Sequence, residues 1–404
     1  MLYSWYDSTL RSASAMRQSA ELTRSLLSTM NPSGGHWPLH RSMTSNLEFI
    51  EFVTKPFYKP DFEISSVTID GDHVAVAEDV VMHKPFCELR SFKRTGAKAT
   101  QEKVLIVAPM SGHYATLVRE TIQRMLEHYD VYVTDWIDAA QVPLGEGCFD
   151  LDDYVDYCRE FMQLLGPDLH VLSVCQPGPP VLAAIALMSE DDDPCTPSSM
   201  VFFGSPIDPR INPTEPNRLA QMHSLQKFEN NAICKVPGSR PGAGRLVYPG
   251  FLQLSAFVNM NPDRHRKAYA KYYSNLMSSK TEAASSHEKF YSNYNAVMDM
   301  TAEFYLQTID RVFHKAEIAN NTMVHRGRLV NPAAITKTRL MTIEGEKDDV
   351  TGQGQTRAAI ELCSGLPSNH RLHHLQAGAG HYGVFSGRLW RNEIAPVLVE
   401  YLKS

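Results

Sequence analysis

Leu169-His170-Val171-Leu172-Ser173-Val174-Cys175-Gln176-Pro177-Gly178-Pro179 reads as an apolar strand, a sharp corner and the opening of a helix. The helix that follows, Pro179 to Met188, is apolar all round and is expected to be buried. Within this stretch Ser173-Val174-Cys175-Gln176-Pro177 has the layout of a nucleophile elbow: small residue, any residue, nucleophile, any residue, small residue. Such a corner crowds its own flanks and forces the central side chain out at the edge of the sheet. Ser173 fills the first small position; Pro177 fills the second, with Gly178 just beyond. Proline suits the first turn of a helix because its φ is already fixed. The Gln176 N–H, freed at the helix start, is placed to meet a developing oxyanion, and the proline comes one position too late to remove it. Most cysteines are inert buried thiols. The corner singles out Cys175 as a nucleophile.

The surrounding chain alternates strand and helix. Val104 to Ala108, Val131 to Trp136, Leu169 to Val174 and Met200 to Gly204 read as strands, and the first is a continuous apolar run of the kind buried on both faces. Helical segments are expected from Thr116 to His128, Leu151 to Leu165 and Pro179 to Met188. Upstream, Phe62 to Ile64, Val67 to Ile69 and Val74 to Val76 read as strands, with a hairpin turn at Asp70-Gly71-Asp72. The first 60 residues read as a helical extension with a break at Asn31-Pro32-Ser33-Gly34-Gly35. The alternation stops after about residue 206. Arg264 to Met277 and Tyr291 to Phe313 look helical, and the sheet pattern resumes at Arg339 to Ile343, followed by a helix from Thr356 to Leu362, a strand from Arg371 to Leu375 and a helix from Glu393 to Leu402. The expectation is an α/β protein of the α/β-hydrolase type, with a mostly parallel central sheet and an inserted helical cap. Its parts are an extension (1–60), a first core segment (61–206), a cap or lid (207–335) and a second core segment (336–404).

Ligands bind at the carboxyl ends of strands in an open parallel sheet, and two further chemistry-bearing runs fall there. Glu344-Gly345-Glu346-Lys347-Asp348-Asp349 follows one strand and offers a carboxylate to orient a histidine. Either aspartate fits the spacing; Asp348 is preferred because Asp349 is the one expected to face solvent. Gly378-Ala379-Gly380-His381-Tyr382-Gly383 follows the last strand and sets His381 on a tight turn, whereas His373 and His374 read as packing or surface residues. The order Cys175, Asp348, His381 is the nucleophile–acid–base order of α/β-hydrolases. A second oxyanion donor is expected from Ala108-Pro109-Met110-Ser111-Gly112-His113, with Ser111 and Gly112 equally placed. Trp136 and Tyr382 are candidates for lining the site, each with an ordinary core position as the competing reading.

With these residues in place, the chain resembles the intracellular poly(3-hydroxybutyrate) depolymerases. The resemblance rests on Met1-Leu2-Tyr3, Val133-Thr134-Asp135-Trp136-Ile137-Asp138-Ala139, Phe149-Asp150-Leu151-Asp152-Asp153-Tyr154, the Cys175 elbow, Glu344 to Asp349, and Gly380-His381-Tyr382-Gly383-Val384-Phe385-Ser386-Gly387. It implies Cys175 as nucleophile, His381 as general base and Asp348 as orienting acid. It also implies a polyester substrate or its oligomers, attachment to polymer granules in the cytoplasm, and no cofactor or metal. Ser173 and Pro177 depart from the glycines of the wider superfamily. A thiol nucleophile makes a thioester intermediate, so coenzyme A could replace water as acyl acceptor. The competing readings are a polymer-synthase-like acyltransferase, a small-ester hydrolase and a non-catalytic granule coat, and a homodimer is an assembly the sequence allows.

Composition narrows the field without choosing within it. With 39 Lys plus Arg against 45 Asp plus Glu, the net charge of −6 argues against nucleic-acid binding. No stretch approaches the roughly 18 apolar residues of a membrane span. No basic start precedes an apolar core in the first 30 residues, so no signal peptide is expected. Seven cysteines without a CxxC pair fit reduced thiols better than a disulfide framework.

Overall fold

Nine strands lie side by side in the computed structural model, which describes residues 2–30, 38–96 and 102–404. They are β1 (Ser66–Ile69), β2 (Asp72–Lys84), β3 (Cys87–Arg94), β4 (Lys103–Val107), β5 (Asp130–Trp136), β6 (Leu169–Val174), β7 (Ser199–Phe203), β8 (Arg339–Gly345) and β9 (Arg371–Gln376). Their order across the sheet is β1-β2-β3-β5-β4-β6-β7-β8-β9. From β5 to β9 neighbouring strands run parallel, while β1 to β3 are antiparallel and β3 joins β5 antiparallel. This order and the elbow after β6 are those of the α/β-hydrolase fold.

The apolar runs are explained by what covers them. Every residue of β6 and β7 is buried, because helices lie on both faces of a parallel sheet and leave neither face to water. One covering helix, Leu151–Leu165, starts with a reciprocal cap: Asp150 Oδ1 accepts from the Asp153 N–H at 2.9 Å, and Asp153 Oδ2 accepts from the Asp150 N–H at 2.9 Å. The other, Gly178–Glu190, is buried from Gly178 to Met188, which accounts for its apolar girdle. The expected hairpin closes β1 on β2 through Asp70 (φ 51°) and Gly71 (φ 92°), both left-handed as a tight hairpin turn requires.

Three local expectations change. Phe62 to Ile64 is not a strand; Glu63 turns the chain at φ 52° so that Phe62 and Ile64 both enter the core. Tyr291 to Phe313 is not one helix. The helix Thr281–Asn295 ends, the short strand Met300–Thr301 pairs with Leu246–Tyr248, and a new helix starts at Ala302, with the Thr301 hydroxyl accepting from the Phe304 N–H. The break expected at Asn31 to Gly35 lies outside the described residues.

The chain forms two compact units. One comprises Met1–Pro60 and Gly250–Val297, and the other comprises Asp61–Pro249 and Met298–Ser404. The stretch from 207 to 335 is therefore shared between them. The first unit is helical and aromatic: Tyr272 is buried, stacks on the His287 ring at 4.4 Å and meets Phe52 at 5.1 Å. Arg24 Nε donates to Glu51 Oε1 at 2.7 Å between its first two helices. The second unit holds the sheet and the candidate site. Among the described residues, no helix is long and apolar enough to cross a membrane.

Candidate active site

Cys175 stands at the corner between β6 and the helix Gly178–Glu190 with φ 66°. A non-glycine residue at positive φ is uncommon and persists only where its surroundings hold it. Here the Cys175 N–H donates to the Phe203 carbonyl at 2.8 Å, and its own carbonyl accepts from the Gly178 N–H at 3.2 Å. Crowding falls one residue later than the sequence layout suggests. A Cβ on Gly178 would lie 2.4 Å from Ser205 Cβ, so glycine is needed there, while Pro177 at φ −70° fits the helix entry. Ser173 is fully buried. The Pro177 departure is accommodated, whereas the buried Ser173 hydroxyl finds no hydrogen-bond partner among the described residues.

Asp348 and His381 meet at the ends of β8 and β9. The two loops are tied by backbone: the Lys347 N–H donates to the Ala379 carbonyl at 2.8 Å, and the Glu346 N–H to the Gln376 carbonyl at 3.0 Å. A Cβ on Gly345 would lie 2.6 Å from the Ala379 carbonyl oxygen, which is why β8 ends in glycine. Asp348 Oδ1 accepts from the N–H groups of Val350 (2.9 Å) and Thr351 (2.8 Å). Its Oδ2 is 2.8 Å from His381 Nδ1. Asp349 is exposed, so the solvent-facing aspartate is the one expected. Glu344, at the head of the acidic run, is buried and accepts from the N–H groups of Gly354, Thr356 and Arg357, which fixes the loop after Asp348.

The Cys175 sulfur acts on the same His381 ring. Burial by itself lowers the imidazole's proton affinity. The Asp348 and Cys175 charges and the hydrogen bonds to both outweigh it and hold His381 well above its ordinary value. The arrangement favours an imidazolium between a carboxylate and a sulfur. Elsewhere, burial pushes the Cys158 thiol up, and burial pushes Cys363 up to about 12.

The remaining site candidates fall on both sides of the boundary. Gln176 is half-buried, and its backbone N–H precedes the first helical turn, where such groups lack an intrahelical partner. Ser111 and Gly112 follow β4 as expected; Gly112 takes φ 98° and its carbonyl accepts from the Met298 N–H at 2.7 Å. Tyr382 is half-buried with its ring 5.7 Å from that of His381. Trp136 does not reach the site. It is fully buried, its indole N–H donates to the Ala108 carbonyl at 2.8 Å, and it packs on Tyr154 at 4.4 Å, so its only polar atom and its faces are used by the core.

Two residues escaped the sequence reading. The Met110 N–H donates to Gln176 Oε1 at 3.2 Å, linking the two loops expected to hold an oxyanion. Gly204, at φ 49°, leaves room for the dyad: a Cβ there would lie 3.2 Å from both Asp348 Oδ2 and His381 Cε1. A glycine directly after a buried strand and level with the elbow was the signal available for it. No group of His, Cys, Asp and Glu suited to a metal is found among the described residues.

Comparison with known proteins gives a family for the C-terminal half. The family described as PHB de-polymerase C-terminus matches residues 204–404, a stretch that includes Gly204, Asp348 and His381 and begins after Cys175. No curated protein matches the chain. Among solved structures, the chain is similar to a monoacylglycerol lipase from Paleococcus ferrophilus (14% identity, 78% of this chain and 98% of that chain, TM-score 0.45). It is also similar to an epoxide hydrolase from Bacillus megaterium (12% identity, 80% and 99%, TM-score 0.47). A further similarity is to a thermophilic esterase from Thermogutta terrifontis (11% identity, 84% and 97%, TM-score 0.39).

Proposed function

We propose, for a chain whose residues 204–404 match the family described as PHB de-polymerase C-terminus, hydrolysis of the ester bonds of poly(3-hydroxybutyrate) through a thioester on Cys175. The observation that carries this reading is Cys175 on its positive-φ corner acting on a His381 ring whose Nδ1 is 2.8 Å from Asp348 Oδ2. Geometry of this kind suits a nucleophile, a general base and an orienting acid.

The sulfur, its proton held by His381, attacks the ester carbonyl carbon, and the carbonyl electron pair moves onto oxygen. The Gln176 N–H and a donor from the loop after β4 stabilise that oxyanion; one such donor contributes about 10²–10³ in rate. The oxyanion collapses, the carbon–oxygen bond breaks, and the leaving alkoxide takes the His381 proton. His381, now neutral, removes a proton from water, the hydroxide attacks the thioester, and the thiolate leaves a free carboxylic acid. Asp348 supports the imidazolium formed in both halves and fixes which ring nitrogen faces the sulfur.

The test is turnover of amorphous poly(3-hydroxybutyrate) by the full chain and by Cys175→Ala, with and without coenzyme A. The expected result is release of 3-hydroxybutyrate or its short oligomers by the parent chain alone, and loss of that release in the variant. Equal turnover by the variant overturns the reading. Products esterified to coenzyme A would reassign the acyl acceptor and leave the nucleophile in place.

A further inference from the structure

We infer that the Gln176 side chain is a latch on the oxyanion site: its carbonyl occupies the Met110 N–H in the resting enzyme and gives that donor up to the substrate oxyanion. This rests on the ester-cleaving reading above and goes beyond it by naming the second donor and its resting occupant.

The polar groups around the end of β4 can be followed one by one. The Ala108 N–H donates to Thr134 Oγ1 at 3.0 Å. The Ala108 carbonyl accepts from Trp136 Nε1 at 2.8 Å and from the Tyr154 hydroxyl at 3.4 Å. Pro109 has no N–H. Met110 therefore carries the first N–H beyond β4 that the scaffold does not take, and Met110 is fully buried. A buried N–H without an acceptor is costly. The acceptor it finds is the side chain of the residue directly after the nucleophile, at 3.2 Å and 66 positions away in sequence.

That pairing has a consequence for the chemistry. Gln176 carries the first donor on its backbone, and its side chain covers the second. An oxyanion forming beside Cys175 competes with a neutral amide oxygen for the Met110 N–H. Charge-assisted hydrogen bonds are roughly twice as strong as neutral ones, so the oxyanion displaces the amide while a neutral ester carbonyl gains little by doing so. The latch thus keeps a buried donor satisfied until charge develops. Gln176 is, through its side chain, a positioning residue for Met110.

The test separates a latch from a structural tie. Acylation is followed in single turnovers with a soluble 3-hydroxybutyrate oligomer for the parent chain, Gln176→Met and Gln176→Glu. Methionine keeps the length and removes the acceptor; glutamate keeps the acceptor and strengthens it. The latch predicts acylation about fivefold faster in Gln176→Met, the gain of one hydrogen bond no longer broken. It predicts acylation about 100-fold slower in Gln176→Glu, with KM little changed in both. A structural tie predicts the reverse order, with Gln176→Glu near the parent rate and Gln176→Met impaired, and any order other than Met above Gln above Glu overturns the latch. A parent chain that forms no acyl-enzyme on Cys175 defeats the ester-cleaving reading and the latch with it, whereas acylation with the wrong order defeats the latch alone. Should a variant fail to fold, the parent chain bound to a trifluoromethyl ketone analogue of the substrate decides. The adduct oxygen is expected within hydrogen-bond reach of the Met110 N–H with Gln176 Oε1 turned away, and an adduct in which Gln176 still holds Met110 overturns the inference.

Discussion

Asp348 divides its carboxylate between two tasks: Oδ1 is held by the N–H groups of Val350 and Thr351, and Oδ2 is 2.8 Å from His381 Nδ1. The acid is thus fixed by its own turn before it fixes the histidine. Asp348→Asn keeps the shape, removes the charge and presents an amide to the ring. By analogy with acid-to-amide changes in other triads, kcat is expected to fall about 10⁴-fold. Steady-state kinetics on a soluble ester checks this; a loss under tenfold would remove Asp348 from the machinery.

His381 is held above its ordinary value by Asp348 and by Cys175 against the opposing effect of burial. Cys175→Ala removes one of the two sources, so the His381 titration followed by NMR is expected to move down in that variant, and further down in Asp348→Asn. The sign for stability follows. A histidine whose folded value is raised contributes stability fully below its unfolded value of about 6.5, and loses it as pH rises through the folded value. The Asp348→Asn variant is expected to be less destabilised at high pH than at pH 6, as read from urea unfolding.

Gly204 tests how tightly the dyad is packed. Gly204→Ala places a methyl 3.2 Å from Asp348 Oδ2 and from His381 Cε1, at φ 49°. The left-handed backbone alone costs about 1–2 kcal/mol for a residue with a Cβ. A lowered Tm and a fall in kcat of about tenfold or more are expected, with the His381 titration shifted. Parent-like kcat would mean that the pair tolerates displacement.

His170 is one expected source of acid sensitivity away from the site. Burial, and then the Arg339 charge, push it down to about 4, and its Nδ1 is 2.8 Å from Ser199 Oγ. A histidine with a depressed folded value gives stability above its unfolded value of about 6.5, and that stability is lost as pH falls toward 4. The loss is about 3 kcal/mol across that window. His170→Gln is expected to flatten the slope of unfolding free energy between pH 6.5 and 4; an unchanged slope would exclude His170 as its source.

How much of this was legible in the sequence depends on how local the signal is. Leu169 to Val174 and Leu151 to Leu165 could be read to the residue, since both signals lie in adjacent positions. The preference for Asp348 rested on the expectation that Asp349 faces solvent, and Asp349 is exposed. Trp136 was misplaced as a site candidate because a tryptophan at a strand end looks the same whether its indole faces substrate or the Ala108 carbonyl. Met110 and Gly204 were missed because their roles arise from partners 66 positions away in one case and from 144 and 177 in the other. Likewise, no local pattern in Leu2 to Met30 announces that its unit is completed by Gly250–Val297.

The central claim is a covalent acyl group on one sulfur. Acid-quenched turnover of a 3-hydroxybutyrate oligomer, followed by peptide mass spectrometry, measures it directly. The prediction is a 3-hydroxybutyryl adduct on the peptide containing Cys175, labile to neutral hydroxylamine and absent from Cys175→Ala. Polymer or oligomer cleavage that proceeds with Cys175 unmodified, or with the adduct on a hydroxyl elsewhere in the chain, would contradict it.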